Sequence, residues 1–419
     1  MKKEIQHIPT GYKPSPLGII PKEWEVKRLG ECTNLLTNGF VGVATPHYTE
    51  DSDGITYIQG YNVTEGGFNL RGIKKVTKEF HKKNSKSSLL EGDLLTIQTG
   101  DIGLTTIVPK DLEGSNCHAL IISRFNNSII PRFMLYYYNS SIGRERFRKI
   151  ETGTTMKHIN TGDLINFLVP VPSIEEQKAI VDLLKLWDTA IAKQTALIEQ
   201  LTLRKRGLMQ QLLTGKKRLK GCCGEWKEVR LGDVASINRG GSPRPIEKYL
   251  TKGDGYNWIK IGDVGVNAKY ITNTEEKIVK EGLSKTRFVK SGDFILSNSM
   301  SFGRPYILKI DGCIHDGWLV IQEYNKTFDI DFLYYILGYD TTLAQYKSMA
   351  AGSGVLNLNK EIVKEVQLRI PSIDEQIVIA SILVNADKEI EIQKQKLAAM
   401  QEQKRGLMQV LLTGKKRIK

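Results

Sequence analysis

The chain is written twice. Glu23-Trp24-Glu25-Val26-Lys27-Arg28-Leu29-Gly30-Glu31 has its counterpart in Glu225-Trp226-Lys227-Glu228-Val229-Arg230-Leu231-Gly232-Asp233, and Gly92-Asp93-Leu94-Leu95 in Gly292-Asp293-Phe294-Ile295. Gly153-Thr154 with Ile159-Asn160 matches Gly352-Ser353 with Leu358-Asn359. Each copy closes on a near-identical block, Pro172-Ser173-Ile174-Glu175-Glu176-Gln177 against Pro371-Ser372-Ile373-Asp374-Glu375-Gln376, then Lys205-Arg206-Gly207-Leu208-Met209-Gln210 against Lys404-Arg405-Gly406-Leu407-Met408-Gln409. Pro172 and Pro371, like Lys205 and Lys404, stand 199 positions apart. Stretches between the blocks, such as residues 37–83 against 239–285, share pattern but little identity. A solenoid needs more repeats of shorter period. Two copies with one scaffold and unlike faces suit a reader of two different targets.

The scaffold blocks predict helices. Ser173 with Glu176, and Ser372 with Glu375, form S-x-x-E boxes, in which the hydroxyl caps a backbone N–H and the glutamate reaches back to the cap. Beyond them Ile180, Leu184, Trp187, Ile191, Gln194, Ile198, Leu201, Lys205, Leu208 and Leu212 recur at steps of three and four, the spacing of a coiled-coil seam. Ile379, Leu383, Ala386, Ile390, Gln393, Leu397, Met400, Lys404, Leu407 and Leu411 follow the same steps, with Gln and Lys breaking both seams at matching places. Each helix could pack only on its own lobe, but the matched polar breaks favour pairing of the two helices. Trp187 against Ala386 is read as a large–small match between the copies. Thr214-Gly215 and Thr413-Gly414, each followed by Lys-Lys-Arg, mark the helix ends. At about 1.5 Å per residue each helix spans about 60 Å, a gap that parallel pairing would force the second lobe to bridge. Antiparallel pairing removes that demand. The expected fold is α+β, with two similar lobes at opposite ends of a long antiparallel two-helix coiled coil in a pseudo-two-fold arrangement. The expected domains are residues 1–170 and 219–370 for the lobes and 171–218 and 371–419 for the helices.

Within each lobe short β-rich runs, Ile55-Thr56-Tyr57-Ile58 and Trp258-Ile259-Lys260-Ile261 among them, alternate with Gly, Asn and Asp turns, while residues 133–138 and 332–336 suit either a helix or a buried strand. Basic and amide residues cluster between the runs: Asn38, Gln59, Asn62, Arg71, Lys74, Lys75 and Gln98 in the first lobe, and Arg239, Ser242, Arg244, Lys260, Asn298, Ser299 and Arg304 in the second. Arginine suits guanine, asparagine and glutamine suit adenine, and lysine and serine suit phosphate. Each could equally be a solvated surface residue. The loop Arg239-Gly240-Gly241-Ser242-Pro243-Arg244-Pro245 is the most distinctive, because its glycines permit close backbone approach and two arginines flank a stiffened turn. Its plain alternative is a strand connection.

A net charge of +14 fits a polyanionic partner or a basic solvating surface. No apolar run reaches the roughly 20 residues of a membrane helix, the N-terminus has no secretory pattern, and the cytoplasm is the expected compartment. Cys32, Cys117, Cys222, Cys223 and Cys313 make no C-x-x-C pair and read as reduced thiols. Catalytic signals are missing. The Thr-Gly-Lys-Lys segments lack the upstream glycine and the following Ser/Thr of a phosphate loop, no Asn/Asp-Pro-Pro-Tyr motif is present to grip a flipped base, and the six histidines show no paired-ligand spacing. Asp93 and Asp293 sit in repeated Gly-Asp turns, where a structural role is expected. An adaptor without a DNA role would not need unlike loops rich in Arg, Asn and Gln, and a self-sufficient nuclease or methyltransferase would need the missing motifs; both stay open as alternatives.

The Trp-x-x-x-x-Leu-Gly entry, the Gly-Asp strand and above all Pro-Ser-Ile-Glu/Asp-Glu-Gln leading into a long helix, each present twice, resemble the specificity subunits of type I restriction-modification systems over nearly the whole chain. The resemblance implies a non-catalytic subunit whose two lobes each read half of a bipartite site in double-stranded DNA. It implies helices that set the spacing and bind two methyltransferase subunits, joined by restriction subunits. S-adenosylmethionine, ATP and Mg²⁺ would then belong to those partners, with no cofactor in this chain.

Overall fold

The computed structural model describes residues 8–154, 157–222, 224–265, 268–298, 302–350 and 358–418; Cys223, Ser299, Gly352 and Ser353 lie outside the described residues. The chain divides into two units, Met1–Thr195 with Gln395–Lys419, and Ala196–Lys394. Each unit therefore contains one lobe and part of both long helices.

In the first unit a four-stranded sheet runs Thr105–Ile107, Leu94–Ile97, Leu120–Phe125, Thr33–Asn38, all antiparallel. A three-stranded sheet, Asn116–Cys117, Ile55–Ile58, Lys74–Val76, lies beside it. The second unit repeats the order within two five-stranded sheets, with Pro305–Leu308, Phe294–Ser297, Trp318–Gln322, Ser236–Arg239 extended by Tyr270–Ile271, and with Gly312–Ile314, Tyr256–Ile259, Glu276–Ile278 extended by Arg287–Val289 and Leu250–Thr251. Side chains alternate faces along a strand, so each central sheet is apolar on both. Leu94 and Ile121 pack with Phe133 and Tyr137 of the helix Pro131–Asn139, while Leu95 and Ile122 pack with Ile58 and Cys117 of the smaller sheet. Phe294 and Leu319 meet Phe332 and Ile336 of the helix Ile330–Leu337, while Ile295 and Val320 meet Ile259 and Ile314. Each lobe is thus helix, sheet and sheet in three layers, and the two ambiguous apolar runs are helices. The Gly-Asp turns are structural: the fully buried Asp93 accepts from Arg124 Nε and Nη2, and Asp293 accepts the Lys290 N–H and the Gln322 amide.

The scaffold helices are Ile174–Leu212 and Ile373–Leu411. Ser173 and Ser372 accept the N–H of Glu176 and Glu375. The glutamates bond partners distant in sequence. Glu176 accepts the Trp24 indole N–H at 2.9 Å and both arms of Arg417, and Glu375 takes both arms of Arg218. The segment after each helix is thereby strapped to the start of the other helix. The next residue anchors the lobe: buried Gln177 accepts the Ile130 N–H and donates to the Ser128 and Pro172 carbonyls, and Gln376 does the same with Asp329, Thr327 and Pro371. Both helices end on glycines with positive φ, Gly215 at +67° and Gly414 at +69°.

All the seam positions are shielded. Ile180, Leu184, Leu212, Ile379, Leu383, Ile390 and Leu411 are buried, while Trp187, Ile191, Ile198, Leu201, Leu208, Leu397, Met400 and Leu407 are half-buried. In the first unit Ile180 and Leu184 share a cluster with Met408 and Leu411; in the second Leu212 shares one with Ile379 and Leu383. The start of each helix thus packs on the end of the other, and the pair is antiparallel. This order corrects the Trp187–Ala386 match. Asp188 pairs with Lys404 and Asp387 with Lys205, so those two positions face distant stretches of the partner helix and not each other. The lysines that interrupt the seams belong to a repeated junction. Tyr136 donates to Asp188 at 2.5 Å and Lys404 reaches the other carboxylate oxygen at 2.5 Å; Tyr335, Asp387 and Lys205 repeat this at 2.6 and 2.5 Å. Burial and the adjacent carboxylate push both tyrosine hydroxyls well above their ordinary pKa, so each stays a donor.

Candidate nucleic-acid interface

In the second unit the strand Ser236–Arg239 runs into loop 240–245. The loop crosses against the chain at His315, where Gly240 donates to the Trp318 carbonyl and Gly241 to the Ile314 carbonyl. A Cβ on residue 240 would stand 2.2 Å from the His315 oxygen, so only glycine permits this crossing. Gly240→Ala is therefore expected to displace the loop and lower DNA affinity while the lobe stays folded. DNA affinity and circular dichroism on one preparation check this, and unchanged affinity would mean the loop tolerates the shift.

Asp316 holds the loop in place. Its carboxylate accepts Ser242 Oγ at 2.9 Å and lies 3.8 Å from Arg244 Nη2, while its carbonyl accepts Arg239 Nε and Asn298 Nδ2. Arg244 is 83% exposed, a tethered guanidinium presented to solvent. Beside it opens a cleft of about 630 Å³, lined by Arg244, Trp258, Lys260, Glu276 and His315 among others. Lys260 lies 3.0 Å from Glu276, and the hydrogen bond to that carboxylate raises the lysine pKa. Four of the expected residues, Arg239, Ser242, Arg244 and Lys260, thus converge. Arg304 does not join them; it lines another groove beside Tyr334 and Tyr335.

The first unit is more dispersed. Asn38 accepts Thr161 Oγ1 at 2.8 Å, Gln59 donates to the Tyr48 hydroxyl, and Lys75 donates to the Asp51 and Ser52 carbonyls. Gln98 is half-buried, and Arg71 and Lys74 are exposed. Asn62 and Asn298 are buried. The Asn62 amide closes its own turn, accepting the Gln59 N–H and donating to the Asn69 carbonyl, and Asn298 braces Asp316. Neither presents an amide to a base edge.

Sequence reading missed Asp316 and a pair of equivalent histidines. His118 donates its backbone N–H to Ile58 and His315 to Ile259, the same junction in each lobe. Insertions between the scaffold blocks hide this match from the constant offset. The His118 ring meets the Tyr57 hydroxyl at 3.1 Å, and burial lowers its pKa. Among the described residues no group of three or more His, Cys, Asp or Glu converges as metal ligands, and no helix is long and apolar enough to cross a membrane.

The profile of the type I restriction modification DNA specificity domain matches the chain twice, over residues 21–203 and 224–402. The chain belongs to that family. It is accordingly a specificity subunit, the non-catalytic part of a type I restriction-modification complex in which two domains recognise DNA sequence. Members of this family carry no catalytic cofactor of their own. The chain is similar to the putative type I restriction enzyme MjaX specificity subunit of Methanocaldococcus jannaschii, with 26% identity over 97% of both chains. A chain from a study of complex assembly and conformational transition of the type I R-M system superposes with a TM-score of 0.65 at 19% identity, covering 94% of this chain and 99% of that one. The type I restriction-modification S subunit of M. genitalium gives 0.54 at 17% identity, over 93% and 96%. At these identities the structural likenesses speak for the fold.

Proposed function

We propose that residues 1–170 and 219–370 each read one half of a bipartite site in double-stranded DNA, and that the paired helices of 171–218 and 371–419 set the spacer and dock two methyltransferase subunits. Restriction subunits would join that complex. S-adenosylmethionine, ATP and Mg²⁺ would be held by the partners, and the complex would work in the cytoplasm.

One observation carries this reading: two lobes that share the order of their central strands send unlike loops from the same strand, residues 39–47 after Thr33–Asn38 and residues 240–245 after Ser236–Arg239. Common scaffold with divergent loops is the arrangement expected when affinity comes from shared backbone contacts and sequence from local base contacts. The second lobe would read through Arg239, Ser242, Arg244 and Lys260, and the first through Asn38, Gln59, Arg71, Lys74, Lys75 and Gln98. Arg304 falls outside the converging set.

Arg244→Ala tests it. If the guanidinium meets a base, discrimination at one position of the site should fall by ~1–3 kcal/mol; if it meets a phosphate, all sequences should weaken alike and the salt dependence should flatten. Unchanged affinity at two salt concentrations would remove Arg244 from the interface. The site itself comes from methylome sequencing of cells that carry this chain with its methyltransferase.

A further inference from the structure

The first lobe's counterpart of the arginine loop is apolar. Loop 39–47 leaves its strand as the arginine loop does: the Gly39 N–H donates to the Leu120 carbonyl and the Phe40 N–H to the Cys117 carbonyl. It then presents Val41, 65% exposed, and Val43, 75% exposed, the highest exposure of any large apolar side chain among the described residues. Both feet of this tip are fixed. Phe40 stands edge-on to Phe80 with ring centroids 4.9 Å apart, its carbonyl accepts the Ala119 N–H, and Ala44 is buried. Gly42 between the valines has φ +146°, and a Cβ there would touch the Phe40 ring at 3.0 Å. The valines are thus held out from a rigid base, an arrangement that loses little entropy when covered.

We propose that Val41 and Val43 form an apolar reading tip that packs on the C5-methyl group of thymine in the half-site of this lobe. The inference rests on the proposed DNA-reading role. The thymine methyl is the apolar feature of base edges in the major groove. A wedge between stacked base pairs calls for longer side chains than the short, stiff valine. Two valines are far too little for a protein partner, since a stable interface buries roughly 1,200 Å² or more. The lobes therefore differ in chemical class at one position of the fold, a methyl contact in one and guanidinium donors in the other.

The test uses the full chain in complex with its methyltransferase and duplexes of the mapped site. Each thymine of the first lobe's half-site is replaced singly by deoxyuridine, which removes the methyl and keeps every hydrogen-bonding group. At least one replacement should weaken binding about four-fold, the value of one buried methylene-sized group. Val41→Ser and Val43→Ser, both at exposed positions, should weaken binding to the thymine duplex, and the double variant should no longer distinguish thymine from deoxyuridine. A half-site without thymine, equal affinity for every duplex, or a deoxyuridine penalty that persists in the double variant would each overturn the inference. Serine variants that weaken all duplexes equally would overturn it too, placing the tip on another part of the DNA. Failure of the native complex to bind the unsubstituted site would instead overturn the DNA-reading role along with it.

Discussion

Arg218→Ala should destabilise the chain by ~3 kcal/mol, and Arg417→Ala by clearly less, although the two arginines occupy the same position of the repeat. Glu375 is 3% exposed, and Arg218 closes on it with two bonds of 2.9 and 2.8 Å. Removing one member of a buried pair strands the other without solvent or partner, at a cost of ~3–5 kcal/mol; Arg218 is a third exposed, which places the effect at the low end. Glu176 is nearly as buried, but it keeps the Trp24 indole N–H when Arg417 is lost, whereas the equivalent Trp226 indole makes no such bond. Urea unfolding followed by tryptophan fluorescence measures both. Equal losses would refute the asymmetry ascribed to the Trp24 bond, and losses below ~0.5 kcal/mol for both would show that the straps are incidental.

Exchanging residues 219–370 for the corresponding lobe of another family member should replace one half of the methylated sequence and leave the other half unchanged. The graft must preserve the lobe's attachments to the helices: Thr327 and Asp329, whose backbone meets Gln376, and Tyr335, which donates to Asp387. A graft lacking Tyr335 would leave Asp387 and Lys205 without their lobe partner, and activity would fail for a mechanical reason. With the attachments kept, methylome sequencing gives the outcome. A change in both halves, or in neither, would refute independent reading by the lobes.

The helices were legible because the seam repeats over ten positions and survives divergence, and their antiparallel order because parallel helices of about 60 Å would leave the second lobe that whole length to bridge. The three-layer lobes were not. Their strands are two to six residues long, apolar on both faces, and paired across distances that local pattern does not encode, as between Leu120–Phe125 and Thr33–Asn38. The S-x-x-E boxes correctly marked the helix starts, yet the partners of their glutamates lie more than 150 residues away in sequence for Trp24 and Arg218. Of the amides expected at the interface, Asn62 and Asn298 turned out to hold loops, because a residue's composition says nothing about which way its side chain turns. Val41 and Val43 were overlooked for the opposite reason: apolar residues beside a strand read as core, and only the fold shows them outside it.

The division of the chain into units has a consequence for how the protein comes off the ribosome. The second unit is one continuous stretch, Ala196–Lys394, and can complete its core as soon as that stretch has emerged. The first unit is assembled from Met1–Thr195 and Gln395–Lys419, with Met408, Leu411 and Leu412 filling the space beside Ile180 and Leu184. The lobe made first is therefore finished last. For the time it takes to translate about 200 further residues, some ten seconds or more at ordinary elongation rates, its apolar helix face waits uncovered for a segment that does not yet exist.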